Sequence, residues 1–492
     1  MSTHLFHLGS DRSKTLQTRV REMMVSAILD GYLQANERLP SPRILGKELG
    51  VARNTVIEAY KHLADDGYLY VQERRGYFVS ARSPDEMSPL YQPQDSGVTT
   101  DTIDWSQRLV VSMEGQRNIV KARNWQSFTY PFVTGQLDPL LFPVSDWRDC
   151  CRGSMNPGNT LDWAADHCDT DTVALIDQLR SRVLPRRGIN ATPDEILTTM
   201  GAQHALYILS SLLMWGKCIG IEEPGYPDAR NIFSLKAERM VELPVDDEGL
   251  VVGEHLAGCD YVYITPSHQS PTTVTMSLDR RRALLKAAEQ YDFIIMEDDY
   301  EGESNYSGQP TPALRSLDRN GRVIYIGSLS KVLAPGLRLG YLVASEELIY
   351  EARSLRRLML RHVPGNNESA IALFLSRGHY DVLIRRLRRN YKERWQVMHD
   401  AIDAYLPDYS SPSNYGGTAF WLKGPEHLDS RMLQRMAAQS SILIETGDVY
   451  FQQSPQPLNY FRLGLSSIPV ERIEPGVKKL AEIIGSIIGS IA

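Results

Sequence analysis

The stretch Leu39–Val79, LPSPRILGKELGVARNTVIEAYKHLADDGYLYVQERRGYFV, carries helix and turn signals in a fixed order. Ser41 can cap a helix whose first position is Pro42, and Gly50 ends that helix after Leu49. A turn of about two residues leads to a further helix from about Arg53 to Asp65. Val56, Ala59, Tyr60 and Leu63 give it a buried stripe, leaving Arg53, Asn54, Thr55 and Lys61 facing outward. Upstream, Leu16, Val20, Met23, Met24, Ala27 and Ile28 mark one face of a helix over Leu16–Leu29, ended by Gly31. Downstream, Tyr68–Val71 and Tyr77–Ser80 alternate around Glu73-Arg74-Arg75-Gly76, a hairpin with a basic tip. Two short helices about a tight glycine turn, the second opening Arg-Asn-Thr, suit major-groove reading, and the hairpin tip suits a minor-groove or phosphate contact. A three-helix protein-interaction domain with a solvated basic loop fits the same geometry.

The whole chain has 492 residues, 42% hydrophobic and 23% charged, which indicates more than one folded unit and excludes fibrous or wholly disordered classes. No apolar run reaches the length of a bilayer span, and Met1–Lys14 offers no apolar segment for a secretion signal. Five scattered cysteines form no CxxC pair, so a reduced, cytoplasmic protein without a structural metal site is expected. The net charge of −7 argues against a protein that coats nucleic acid with its whole surface. Residues 1–80 differ, with 11 Lys and Arg against 9 Asp and Glu. The stretch from Ala81 to about Asn118, rich in Pro, Ser, Asp and Thr, reads as a tether. Beyond it, the short runs Val262–Thr265, Phe293–Met296 and Val323–Ile326 alternate with helical patterns, the signature of an α/β body with a mainly parallel sheet.

Four segments of this body suggest one cofactor. Ser328-Leu329-Ser330-Lys331 follows a strand, with Arg338 seven residues beyond the lysine. A partly desolvated lysine can form a Schiff base with an aldehyde, and the serines and arginine could hold a phosphate. Glu297-Asp298-Asp299-Tyr300 ends a strand, where a carboxylate can keep a pyridine nitrogen protonated and a phenol can bond a ring hydroxyl. Gly201-Ala202-Gln203-His204 opens a helical run whose free N–H groups suit a phosphate. Tyr460-Phe461-Arg462-Leu463-Gly464 places an arginine inside an apolar strand, where it needs an anion such as a ligand carboxylate. Each segment has a bland reading by itself; the order and spacing of all four do not.

Residues 14–80 closely resemble the GntR family of winged-helix repressors. That likeness favours DNA over protein as partner and implies contacts from Arg43, Arg53, Asn54 and Thr55, with Gly76 at the wing tip beside Arg74 and Arg75. Where the family usually has Ser, this chain has Ala52, a lost cap worth ~1 kcal/mol. Residues 125–490 resemble fold-type I pyridoxal-phosphate enzymes of the aspartate aminotransferase superfamily. The likeness implies that Lys331 forms the Schiff base, Asp298 meets the pyridine nitrogen and Tyr300 the ring hydroxyl. It also implies that Ala202, Gln203, Ser328, Ser330 and Arg338 cradle the phosphate of pyridoxal 5'-phosphate, that Tyr226 lines the ring, and that Arg462 takes the effector carboxylate. Asp228, near Tyr226, is a candidate for selecting a second cationic group on the effector, or a surface carboxylate.

A GntR head on such a body resembles the MocR/GabR regulators, and the motif TPSHQSPT (Thr265–Thr272) resembles them too. The organisation expected is a winged helix-turn-helix over 12–80, a flexible linker over 81–118 and an aminotransferase-like domain over 119–492. The implied function is transcription regulation: an amino-acid-like effector forms an external aldimine in the body and changes binding to promoter DNA. The implied assembly is a head-to-tail homodimer, with no membrane partner. Ser270 stands where aminotransferases carry a ring-contacting Asn, and Asp166–Asp171 where they carry a Tyr-Gly-Asp-Pro-x-Gly stretch that completes the partner's phosphate site. Both changes favour sensing over turnover. The alternatives are a working aminotransferase with an accessory head, and a DNA-binding module whose body has lost its cofactor.

Overall fold

The computed structural model describes residues 14–73, 75–80, 104–305, 311–409 and 416–491. The chain divides into two compact units, residues 1–108 and 109–492. The smaller holds three helices, α1 (Leu16–Leu29), α2 (Pro42–Leu49) and α3 (Arg53–Asp65), and a hairpin of β1 (Leu69–Gln72) and β2 (Gly76–Val79). Local chemistry sets each boundary. Ser41 Oγ accepts from the Ile44 N–H at 3.4 Å, and Gly50 ends α2 at φ 66, in the left-handed region that glycine enters freely. Ala52 precedes α3 with no side-chain cap. Val20, Met24, Leu45, Val56, Ala59, Tyr60 and Leu63 are all fully buried, and the Tyr60 hydroxyl donates to the Pro40 carbonyl at 3.1 Å. The hairpin register runs from Leu69 opposite Val79 to Gln72 opposite Gly76.

Of the stretch read as tether, residues 81–103 lie outside the described residues. Residues 109–118 cluster with the larger unit, where Arg117 donates to the Phe451 carbonyl at 2.8 Å. That unit is built on an eight-stranded sheet. Its strands in chain order are β3 (Ile196–Thr199), β4 (Cys218–Glu223), β5 (Arg239–Asp246), β6 (Gly249–Leu250), β7 (Tyr261–Ile264), β8 (Ile294–Asp299), β9 (Val323–Ser328) and β10 (Gly340–Val343). Across the sheet they lie in the order β3-β10-β9-β8-β7-β4-β5-β6. From β9 to β5 every pairing is parallel, while β10 runs against both neighbours and β6 against β5. The central strands are buried along nearly their whole length, because helices cover both faces of a parallel sheet and leave no solvated side. Helix α4 (Ala202–Leu213) follows β3 directly. A second, antiparallel sheet of three strands, β11 (Ala419–Lys423), β12 (Glu445–Thr446) and β13 (Tyr460–Gly464), has β13 in the middle. Among the described residues no helix is long and apolar enough to cross a membrane.

Candidate functional site

In an open parallel sheet, ligands gather beyond the carboxyl ends of the strands, where loops and helix starts converge. Here a cavity of about 240 Å³ forms there, lined from all four segments singled out in the sequence. Ala202 and Gln203 come from the start of α4, Asp298 from the end of β8 with Tyr300 just beyond, and Ser328, Ser330, Lys331 and Arg338 from β9 and the loop after it. Arg462 comes from β13, and Tyr226, Asp228 and Ser270 also reach the cavity.

Asp298 is fully buried. Its Oδ2 accepts from the Tyr263 hydroxyl at 2.8 Å, and its Oδ1 has no partner. Burial pushes this carboxyl up to about 7, against the pull of the Tyr263 hydrogen bond and of the Lys331 amine. The Tyr300 hydroxyl is likewise buried without a partner, and burial holds its pKa well above the phenol range. The Lys331 amine stands 5.6 Å from the centre of the Tyr300 ring. Arg462 is buried within β13, with Nη1 3.5 Å from the Tyr450 hydroxyl and Nε unbonded, and it makes no ion pair among the described residues.

The start of α4 depends on one glycine. Gly201 adopts φ 84, ψ 173, a conformation essentially closed to other residues, and a Cβ there would stand 3.1 Å from the Arg338 guanidinium. Arg338 thus lies against the turn and donates to the Met200 carbonyl at 3.0 Å. His204, kept neutral because burial lowers its pKa to about 4, accepts from the Met200 N–H at 3.1 Å and fixes the same turn.

Two expected contacts are already engaged inside the protein. The Ser330 hydroxyl accepts from the Leu339 N–H at 2.8 Å and lies 3.0 Å from the Leu339 carbonyl, so it ties the loop together. Asp228 accepts from the Tyr226 hydroxyl at 3.0 Å and from the Gln203 amide. It is therefore a braced carboxylate, with both bonds on Oδ2, at the wall of the cavity. None of Asp166–Asp171 lines the cavity. Helix α5 (Glu346–Leu360) holds that segment through its arginines: Asp171 pairs with Arg353 at 3.0 Å and with Arg356, while Asp169 pairs with Arg357 at 3.0 Å.

Several lining residues went unseen in the sequence. Tyr263 sits on the strand beside that of Asp298, and a phenol hydroxyl inside a buried apolar run, which needs a partner, was the available signal. Lys121 and Gly135 belong to irregular segments with no pattern to mark them.

On the smaller unit Arg43, Arg53, Asn54 and Arg75 are exposed. Thr55 is half-buried in the first turn of α3, and Gly76 opens β2 at φ 108. Neither Arg43, Arg53 nor Arg75 makes an ion pair among the described residues, which leaves their charge for phosphates or bases. Arg74 lies outside the described residues.

Residues 16–79 match the gntR family of bacterial regulatory proteins, and residues 168–480 match aminotransferase class I and II. The chain is 39% identical to the HTH-type transcriptional regulator TauR of Rhodobacter capsulatus, over 97% of this chain and 98% of that one. It is 29% identical to the probable rhizopine catabolism regulatory protein MocR of Rhizobium meliloti, over 96% and 94%. Among solved structures, LysN, the α-aminoadipate aminotransferase of Thermus thermophilus complexed with N-(5'-phosphopyridoxyl)-L-leucine, superimposes with a TM-score of 0.70. That match has 26% identity and covers 79% of this chain and all of LysN.

Proposed function

The chain belongs to the MocR-type regulators, a gntR head on an aminotransferase class I and II body, and from that premise we propose how it works. The head binds promoter DNA, and the body senses an amino-acid-like effector through pyridoxal 5'-phosphate. The observation that carries this reading is the pair of buried, unpartnered groups in the cavity, Asp298 Oδ1 and the Tyr300 hydroxyl, beside the Lys331 amine. Buried polar atoms without partners are uncommon in native proteins, and two of them facing one cavity beside an amine suit a polar ligand. A pyridine N–H, a ring hydroxyl and an aldehyde answer these three.

When bound, the cofactor supplies an electrophilic carbon for an amine and an electron-poor ring. Lys331 would hold it through its amine. Asp298, favoured as the carboxylate beside a positive ring nitrogen, would keep that nitrogen protonated, and Tyr300 would hold the ring hydroxyl. Arg338, Ser328 and the α4 N–H groups of Ala202 and Gln203 would take the phosphate. Tyr226, braced by Asp228, would line the ring, and Arg462 would receive the effector carboxylate. Ser330 keeps the loop between Lys331 and Arg338 in shape. An effector that favours one arrangement of the body shifts DNA binding only as far as its affinities for the two arrangements differ. We place this activity in the cytoplasm, in a head-to-tail homodimer.

The test is a spectral titration of the cofactor-loaded protein with a panel of amines and amino acids, each also assayed for promoter binding. The expected result is an effector that shifts both the cofactor spectrum and DNA affinity, with the oxidised cofactor persisting. Borohydride should fix the cofactor on Lys331. A pyridoxyl adduct elsewhere would overturn the site. Sustained turnover at ~1–10³ s⁻¹ would make the aminotransferase reading the better one.

A further inference from the structure

The cavity holds more positive charge than the cofactor and one carboxylate require. Its lining carries the cations Lys121, Lys331, Arg338 and Arg462 against the carboxylates Asp228 and Asp298. On the reading above, Lys331 meets the aldehyde, Arg338 the phosphate and Asp298 the pyridine nitrogen. Asp228 is already bonded by Tyr226 and Gln203. Arg462 and Lys121 remain.

Lys121 donates one hydrogen bond, to the Thr134 carbonyl at 2.5 Å, and makes no ion pair among the described residues. Glu445, the carboxylate nearest in effect, does not line the cavity; Thr134 occupies it with its N–H at 3.0 Å and its hydroxyl at 2.7 Å. The backbone brings Lys121 to the reacting centre. Gly135 adopts φ 61, and a Cβ on it would stand 2.8 Å from the Lys331 amine and 3.1 Å from the Lys121 amine. A glycine therefore lets two amines flank one backbone point. Burial pushes Lys121 down to about 8; the Glu445 charge opposes this, and the charges of Lys331 and Arg462 add to it. An anion placed between these groups would relieve both burdens.

We propose that Lys121 is a second anion-binding residue of the effector site, acting with Arg462, and that the site therefore prefers amines bearing two acid groups. Diamino acids are disfavoured, because a second ammonium beside Arg462 and Lys121 meets like charge, and Asp228 is already shared by Tyr226 and Gln203. The inference rests on the functional reading above for the division of roles, but not for the position of Lys121.

The experiment measures binding of succinate, acetate, L-aspartate, L-alanine and L-ornithine to the full chain, by calorimetry and by the cofactor spectrum. Wild type should bind succinate at least ten-fold more tightly than acetate, and L-aspartate more tightly than L-alanine or L-ornithine. Lys121→Met should remove that preference, at the loss of one charge-assisted contact, and Lys121→Arg should restore most of it. If Lys121→Met keeps the wild-type preference for succinate, or if L-ornithine binds as tightly as L-aspartate, the proposal fails. Loss of the cofactor band in Lys121→Met would also overturn it, by assigning the residue to the cofactor. Calorimetry with succinate reads Lys121 even in a chain that takes up no cofactor. Failure of the functional reading therefore shows separately, as a wild type without a cofactor spectrum.

Discussion

Replacing Asp298 by Asn should stabilise the cofactor-free protein above neutral pH and weaken its hold on the cofactor. Burial lifts this carboxyl from 3.8 to about 7. Because the folded value lies above the unfolded one, the folded chain keeps the proton between about pH 4 and 7, and stability falls as pH rises through that window. About three units at 1.36 kcal/mol each make the charge cost ~4 kcal/mol above pH 7. Asparagine cannot ionise, yet its carbonyl can still accept from Tyr263. Chemical unfolding of the cofactor-free chain, followed by tryptophan fluorescence, should therefore show Asp298→Asn and wild type nearly equal at pH 4. At pH 8 the variant should be the more stable by ~4 kcal/mol. Glu222 and Glu368 are also lifted to about 7 by burial, and Glu223, Glu297 and Glu303 are raised by it too, so the wild-type slope is shared and only the difference isolates Asp298. With cofactor the advantage should shrink to ~1–2.5 kcal/mol, since a charge-assisted hydrogen bond worth ~1.5–3 kcal/mol is lost and cofactor affinity falls ten-fold or more. Equal stability at pH 8 without cofactor would refute the burial argument. Equal cofactor affinity would refute the pairing with the pyridine nitrogen.

Arg53→Ala should weaken promoter binding about ten-fold or more at every salt concentration, as expected for ~1–3 kcal/mol of base contact, and should leave the cofactor spectrum unchanged. Arg75→Ala should instead flatten the salt dependence by about one unit of slope per lost phosphate contact, read from binding isotherms at several ionic strengths. Gly201→Ala should cost ~1–3 kcal/mol of stability in the unfolding assay, and should lower cofactor affinity by displacing Arg338.

The fold was legible wherever the signals were local. Ser41-Pro42 and Gly50 bracket α2, and the stripe from Val56 to Leu63 marks α3, because caps and periodicity act within a few residues. The apolar runs ending at Asp298 and Ser328 marked parallel strands for a similar reason: each must be buried on both faces. Three of the four cavity segments end a strand or start a helix, and such ends meet at one edge of the sheet; Arg462, inside β13 of the second sheet, joined them through order and spacing alone. What stayed hidden depends on side chains meeting across the chain. The pairing of Arg356 with Asp171 spans 185 residues and leaves no periodic trace in either segment. The braces on Asp228 and Ser330 are choices among hydrogen-bond partners that only the folded geometry decides. Lys121 has no motif at all, and reaches the cavity through a glycine that a sequence reading has no reason to single out.

The absence of a cap before α3 has a consequence for how the head meets DNA. The Ala52 side chain offers no oxygen to the first turn, so the amides of Arg53 and Asn54 begin the helix without a side-chain acceptor from within the chain. A duplex phosphate arriving at that turn completes the helix as well as the contact, taking the place a serine hydroxyl would otherwise hold. Docking would then add an acceptor to the first turn of a helix that its buried stripe already holds in place. Ionic strength, which screens phosphates, would act on the end of that helix as well as on the contact.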